Sequence, residues 1–305
     1  MTLQNPHPFS RYEHKQHGTF EFPYIIYHTI IPDFIHSYPL HWHDEIEFIL
    51  IRKGQVILTL NKTLIHAVKG DIILIPPGTL HAIDRDQSHT AEYYNIVFDL
   101  KLLGQDTPSD FCFYRYIKPY LDDKVSLPYH LPQTHTIYPK LYHSLTTLIE
   151  IHHSDHLGAE LYIKSQLFYI FWLLEPLQSQ IKPSSQSQYH ISQIQKIKDL
   201  LLFIHANYAS PLTLKEAADF CSYSPSYFSK FFKSFTGMTL IEYLNSYRLK
   251  KAGDLLLTTS MSIIEISERT GFENHSYFIR LFRKHYQTTP KQYRKQHTSS
   301  IQTKE

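Results

Sequence analysis

Between residues 20 and 100 the apolar positions come in short runs that alternate with polar ones. Segments 20–31, 45–52, 55–60, 63–68, 71–76 and 91–99 are rich in Ile, Val, Phe, Tyr and Thr, and Gly54, Asn61, Gly70 and Pro77-Gly78 punctuate them. Many short strands with close-set turns predict an antiparallel sandwich or barrel. The period changes at 139–176. Leu141, Leu145, Leu148 and Ile149 recur at helical spacing, as do Leu167, Ile170, Phe171 and Leu174. Pro139 can open the first of these helices and Pro176 can end the second. The second is apolar on more than one face, so the barrel, the first helix or another subunit must cover it. Segment 178–188 (QSQIKPSSQSQ) is polar and low in complexity and reads as a linker. Beyond it the pattern is helical to about residue 297, and 298–305 reads as a disordered tail.

The helical part contains an internal repeat. Residues 226–233 read SYFSKFFK and residues 276–283 read SYFIRLFR, 50 positions later. Each follows a Ser/Thr-x-x-Glu capping box, Thr213 to Glu216 and Ser262 to Glu265, and each is followed by a tyrosine at the same offset, Tyr243 and Tyr293. Each copy is therefore a capped helix, a tight turn (221–224 and 270–273) and a second helix, which is the helix-turn-helix arrangement. In the first copy Phe228, Phe231, Phe232 and Phe235 form an inward face, with Ser226, Ser229, Lys230 and Lys233 opposite. In the second, Phe278 and Phe282 turn inward and His275, Ser276, Ile279, Arg280 and Arg283 turn outward, with Lys284 beside them. A helix that buries aromatics on one side and shows small polar and basic groups on the other fits the major groove of DNA. The helix predicted at 240–257 is roughly 27 Å long at 1.5 Å per residue, enough to set two such helices about one DNA turn apart.

Charge changes the picture where composition does not. The formal net charge of the 305 residues is only +2, but residues 1–187 carry a net of −5 and 188–305 a net of +7. An acidic front joined to a basic back suggests that the back meets a polyanion. Two cysteines, Cys112 and Cys221, frame neither a disulfide scaffold nor a zinc cluster. The first residues carry no apolar run of signal-peptide type, and the longest apolar run, LFYIFWLL at 167–174, is too short to span a bilayer. The expected location is the cytoplasm, with no membrane partner.

Residues 191–297 closely resemble the AraC/XylS transcription regulators. The residues that carry the resemblance include Ala217-Ala218, Ser224, Phe228, Phe232, Gly237, Tyr243, Arg248, Ala252, Leu255-Leu256, Ile263 and Ile266. They continue through GFENHSYFIRLFRKHYQTTPKQYR at 271–294. The resemblance implies a seven-helix domain with base-facing positions at Ser226, Ser229 and Lys230, then His275, Ser276, Ile279 and Arg280. Lys230, Lys233, Arg280, Arg283 and Lys284 should give the affinity a strong salt dependence. Two serines in the first recognition helix leave it more to phosphate contact and DNA shape than to bidentate readout.

In the front half His41, His43, Glu47 and Gly54 follow the spacing H-x-H-x3-E-x6-G, and Gly70, Pro76, Gly78 and His81 follow G-x5-P-x-G-x2-H. This is similar to the two motifs of the cupin superfamily, a small jelly-roll barrel that regulators of the AraC type often carry as an effector sensor. Arg85 stands where the second motif usually has Asn. Two readings stay open: a polar effector pocket, or a divalent transition metal held by His41, His43, Glu47 and His81, a ligand set suited to Zn, Fe, Mn or Ni. Tyr24, Trp42 and Tyr94 are candidates for aromatic walls of the pocket, as sugar sites often have, and also fit ordinary core.

The expected fold is thus α+β: an N-terminal cupin-type barrel with a helical pair (1–177), a linker (178–188), an all-α domain of two helix-turn-helix units (189–297) and a tail. The expected function is that of a transcription regulator, on family grounds an activator rather than a repressor, that answers a small polar metabolite with a sugar as the leading class. Its expected partners are double-stranded DNA, the effector, RNA polymerase and a second copy of the chain, and it is not expected to be an enzyme. A cupin metalloenzyme fused to a DNA-binding domain is the alternative, and a barrel that serves only as a dimer scaffold is a third reading.

Overall fold

The computed structural model describes residues 17–31, 37–85, 90–122, 124–154, 156–180 and 185–301. The chain divides into two compact units, 1–188 and 189–305.

The front unit opens with eight strands: β1 (Tyr24–Ile31), β2 (Ser37–His41), β3 (Ile46–Lys53), β4 (Gln55–Leu60), β5 (Thr63–Val68), β6 (Ile72–Ile75), β7 (His81–Arg85) and β8 (Ala91–Phe98). After them come a π turn at Phe113–Ile117, the short helix α1 (Lys118–Leu121), the two-residue strands β9 (Val125–Ser126) and β10 (His130–Leu131), and two long helices, α2 (Tyr138–His152) and α3 (Ala159–Leu174). A five-stranded antiparallel sheet runs β1-β8-β3-β6-β10, and a four-stranded sheet runs β2-β7-β4-β5. Every strand expected from the alternation is present. The sequence pattern missed β2, which contains Pro39, and β7, whose five residues HAIDR include two charges.

The pleat sorts the five-stranded sheet into two faces. Ile46, Phe48, Leu50, Ile72, Leu74, Ile96 and Phe98 face α2 and α3, whose Leu141, Leu145, Leu148, Leu167, Ile170 and Leu174 complete that core. Ile49, Ile51, Ile73, Ile75 and Tyr93 face the other way and pack with Val56, Leu58, Leu60 and Ile83 of the four-stranded sheet. A strand covered on both sides reads as a continuous apolar run, which is why β3 shows IEFIL with every position buried. Gly54 closes the β3–β4 turn at φ +72°, where a Cβ would lie 2.1 Å from the Thr90 carbonyl oxygen, so only glycine fits.

The expected linker needs correction. Ser179–Gln180 forms strand β11, paired with β9, and helix α4 (Ser185–Ala206) already includes 185–188. Serine and glutamine are polar but not helix breakers, so a run of them after Pro183 starts a helix as readily as it makes a linker. Helix α10 runs to Ile301, into the segment expected as a tail, and 302–305 lie outside the described residues.

The rear unit holds α4, α5 (Leu214–Phe220), α6 (Pro225–Thr236), α7 (Leu240–Thr258), α8 (Ile263–Arg269), α9 (His275–Tyr286) and α10 (Pro290–Ile301), the seven helices expected. The capping boxes at Thr213/Glu216 and Ser262/Glu265 form as the sequence indicates, and Thr239/Glu242 makes a third at the start of α7. Phe228, Phe231, Phe232 and Phe235 are buried beneath α6, and Phe278 and Phe282 beneath α9. Truncating Phe228 or Phe278 to Ala would cost about 3–5 kcal/mol.

His205 joins α4 to α7. Its ring stacks on Tyr247 at 3.9 Å between centroids and its Nε2 lies 2.9 Å from the Tyr243 hydroxyl. Burial, with Lys251 and Lys250 nearby, pushes its pKa down to about 2. An unfolded histidine takes up its proton near pH 6.5 while folded His205 stays neutral. Between about pH 6.5 and 2 the unfolded chain therefore binds more protons, and stability falls as pH falls. From pH 7 to 5.5, urea unfolding of the wild type should lose about 1.3 kcal/mol more than that of His205→Phe. An equal loss in the two proteins would contradict this.

Candidate functional site

Two places gather the predicted site residues. In the front unit the end of β2, the start of β7 and the inner side of β3 converge. Cα pairing sets His41 opposite His81, and Glu47 faces the barrel interior with Ile49 and Ile51. His41, His43, Glu47 and His81 are all buried. One nitrogen from each of the three histidines lies within 4.8 Å of the others. The His41 and His81 rings are 4.0 Å apart between centroids.

The hydrogen bonds define the tautomers. His43 Nδ1 is 3.1 Å from the Glu45 carbonyl oxygen, and His81 Nδ1 is 2.8 Å from that of Thr79. A carbonyl oxygen only accepts, so both Nδ1 atoms carry the proton and donate. Both Nε2 atoms then face one carboxylate oxygen, Glu47 Oε2, at 3.2 Å from His43 and 3.3 Å from His81. Burial alone would raise the Glu47 carboxyl, but the two imidazoles outweigh it and hold the pKa well below the usual carboxylate range. An ionised carboxylate against two Nε2 lone pairs is attractive only if the rings are protonated or a cation lies among them.

The interior continues as a polar chain that sequence reasoning missed. The Asn95 side-chain amide donates to Glu47 Oε1, and the Thr29 hydroxyl reaches Asn95 Oδ1 at 3.4 Å. Thr29 also bonds Tyr93, whose phenol burial pushes upward. His17, from the segment before β1, sits 5.3 Å from His43 between ring centroids and 3.1 Å from the Tyr27 hydroxyl. Strand parity was the available signal: Tyr27, Thr29, Tyr93 and Asn95 share the face of Glu47.

The same parity overturns two expectations. Tyr24 and Tyr94 lie on the opposite face of the sheet, against α2 and α3, and the Tyr24 hydroxyl donates to the Leu148 carbonyl of α2. Neither can wall a pocket that contains Glu47, because adjacent strand residues point to opposite faces. Trp42 is buried between His41 and His43 in sequence. Arg85 ends β7.

In the rear unit Ser226, Ser229, Lys230 and Lys233 are exposed on α6, and Ser276, Arg280, Arg283 and Lys284 on α9. The Ser229 hydroxyl donates to the Pro225 carbonyl one turn back, which uses the group that could otherwise donate to a base. His275 is half-buried, with Nδ1 3.2 Å from the Ser267 hydroxyl. Ile279 packs in part against the core beneath α9, so it presents an edge rather than a whole side chain. Two arginines act behind the faces: Arg248 donates to the Tyr208 and Ser210 carbonyls ahead of α5, and Arg294 to the Leu256 carbonyl of α7 and the Met261 carbonyl ahead of α8. Each ties down the loop that leads into a helix-turn-helix.

Residues 217–296 match the family model of a helix-turn-helix domain, and residues 32–171 match that of the AraC-like ligand binding domain. The chain is 30% identical over 288 residues to YdeC, an uncharacterized HTH-type transcriptional regulator of Bacillus subtilis (strain 168). That alignment covers 92% of this chain and 94% of YdeC. The chain belongs to the AraC family of transcription regulators. This regulator is also similar to the HTH-type transcriptional regulator AlkR of Acinetobacter baylyi, at 26% identity over 75% of this chain and 81% of AlkR. Among solved structures it is similar to the DNA-binding domain of AdpA in complex with a target DNA, with 22% identity, a TM-score of 0.34, and coverage of 34% of this chain and 95% of that one. The family makes it a DNA-binding protein with a sensing domain in front, and its relatives are regulators rather than enzymes. Among the described residues no helix is long and apolar enough to cross a membrane.

Proposed function

We propose that this regulator is a transcription activator of the cytoplasm that binds a small polar metabolite, a sugar being the leading class, in the interior of its front barrel. The observation that carries this reading is the polar chain Thr29–Asn95–Glu47–His43/His81 inside an otherwise aliphatic barrel. Burying such groups is costly unless partners satisfy them, and a ligand rich in hydroxyls supplies both donors and acceptors. Of the three aromatic residues expected at the wall, Trp42 is the one that strand parity does not exclude. Residues 1–177 would sense the effector and dimerise, and 189–297 would bind DNA. Ser226, Ser229, Lys230, His275, Ser276, Ile279 and Arg280 would face bases, Lys233, Arg283 and Lys284 would face phosphates, and RNA polymerase would be the downstream partner. Switching requires the effector to bind two states with different free energies.

A second reading has its own support. Histidines that donate Nδ1–H to backbone carbonyls and aim Nε2 at a common point are arranged as metal ligands usually are, so the residues present fit a divalent transition metal. His41, His43, His81 and Glu47 would hold it. A bound metal would supply a Lewis-acid centre for an oxygen-bearing effector. The chain's own part is to fix the two tautomers and keep Glu47 ionised.

The exposed side of α3 supports a homodimer. Leu161, Phe168 and Trp172 form a stripe on that helix, and Trp172 stacks with Tyr169.

Elemental mass spectrometry of the purified protein, paired with a thermal-shift screen of sugars and other polar metabolites, tests the effector reading. One metabolite should raise the melting temperature in wild type and fail to do so in Asn95→Ala. Stoichiometric metal would select the second reading, and no shift with any metabolite and no metal would leave the barrel a scaffold. For the dimer, sedimentation at micromolar concentration should give twice the chain mass in wild type and the single mass in Trp172→Glu. A wild-type monomer would overturn it.

A further inference from the structure

The helix-turn-helix repeat places a tyrosine at the third position of both recognition helices, Tyr227 in α6 and Tyr277 in α9. Both are held from outside the helix. The Tyr227 hydroxyl is 3.2 Å from the Gln193 amide and 2.9 Å from the Tyr189 hydroxyl of α4. Asn245 of α7 donates its amide to the Tyr277 hydroxyl at 3.2 Å. Tyr277 is fixed at two further points. Its backbone N–H donates to the Asn274 side chain at 2.9 Å, and its ring packs beside buried Phe272 at 6.5 Å between centroids.

One turn along α9, Arg280 lays its guanidinium over that ring, with Cζ 5.3 Å from the centroid. A guanidinium on an aromatic face is attracted by the ring's electrons and also loses rotational freedom. The position 50 residues earlier is Lys230, whose ammonium is a point charge on a flexible stem. Only the arginine can offer the rigid fork that pairs with guanine O6 and N7.

We propose that Tyr277, tethered by Asn245, is a positioning residue that aims the Arg280 fork before DNA arrives. This rests on Arg280 facing the bases. Tyr277 need not touch DNA itself. Its ring sets the direction of the fork, and the Asn245 tether sets the direction of the ring. Readout by α9 then depends on α7, the helix that joins the two helix-turn-helix units. By the same logic α6, with Lys230 and a back-bonded Ser229, discriminates less sharply.

The test uses the full chain and a random-sequence duplex library. Bound fractions of wild type, Arg280→Ala, Tyr277→Leu, Tyr277→Phe and Asn245→Ala are sequenced, and single-base variants of the enriched duplex are then titrated. Arg280→Ala identifies the base pair that Arg280 reads, by loss of preference there. Tyr277→Leu should lower discrimination at that same base pair by roughly 3–10-fold, leaving other positions as they were. Tyr277→Phe keeps the ring and loses only the tether, so it should lower discrimination at that base pair by a smaller but measurable factor, about twofold. Asn245→Ala should resemble it. Equal weakening at every position, or full discrimination retained in Tyr277→Leu, would overturn the proposal. If Tyr277→Leu does not fold, a preference in Asn245→Ala identical to wild type overturns it instead. If Arg280→Ala changes no position, the base-facing reading of Arg280 fails and this inference fails with it.

Discussion

A short helix can be offered to a DNA groove only if its other side is locked to something, and the rear unit depends on how the two recognition helices meet that constraint. Phe228 and Phe232 under α6, and Phe278 and Phe282 under α9, bury the inward faces almost completely. That burial gives each helix a fixed roll, so the exposed residues on the other side are a consequence of packing. The capping boxes fix where α5, α7 and α8 begin, and Arg248 and Arg294 fix the loops ahead of α5 and α8. Gly271, at φ +83°, lets the turn of the second unit approach the Ala209 carbonyl, a contact that a Cβ would obstruct at 2.6 Å. Local signals and tertiary contacts therefore agree on one orientation for each helix.

The front unit works under the opposite constraint. Its largely aliphatic interior should exclude charge, yet Glu47 is buried there with its pKa held well below the usual carboxylate range, and two histidines that donate Nδ1–H to backbone carbonyls face it. Such an arrangement persists only when protons, a cation or a polar ligand complete it. The AraC-like ligand binding domain thus encloses a buried carboxylate and buried imidazoles between its two sheets.

Much of this was legible in the sequence, and the reasons differ by element. The rear unit was readable because its repeat appears twice, and capping chemistry carries a mechanism as well as a pattern. The barrel was readable as strands because alternation and turn residues coincide, but β2 and β7 escaped notice, the first for its proline and the second for its brevity. His41, His43, Glu47 and His81 stand out by motif spacing; the three histidines come together, and Glu47 lies against His43 and His81. Tyr24 and Tyr94 were misplaced because aromatic character was weighed without strand parity. The same parity would have found Thr29, Tyr93 and Asn95. Segments 185–188 and 298–301 are polar yet helical, because serine, glutamine and threonine do not break a helix. Tyr277 lay within the quoted repeat, but its tie to Asn245 joins residues 32 positions apart and belongs to tertiary structure.

The central claim is that both helix-turn-helix units grip the duplex. It is tested most directly by the salt dependence of binding, read as anisotropy of a labelled random-sequence duplex from 50 to 200 mM salt. With about five cations engaged, among Lys230, Lys233, Arg280, Arg283 and Lys284, affinity should fall by roughly a few hundredfold. Alanine at Lys230 and Lys233 together, or at Arg280, Arg283 and Lys284 together, should each flatten the log–log slope by about one unit per residue removed. A flat titration in wild type, or a slope unchanged by one of the two sets, would contradict the claim.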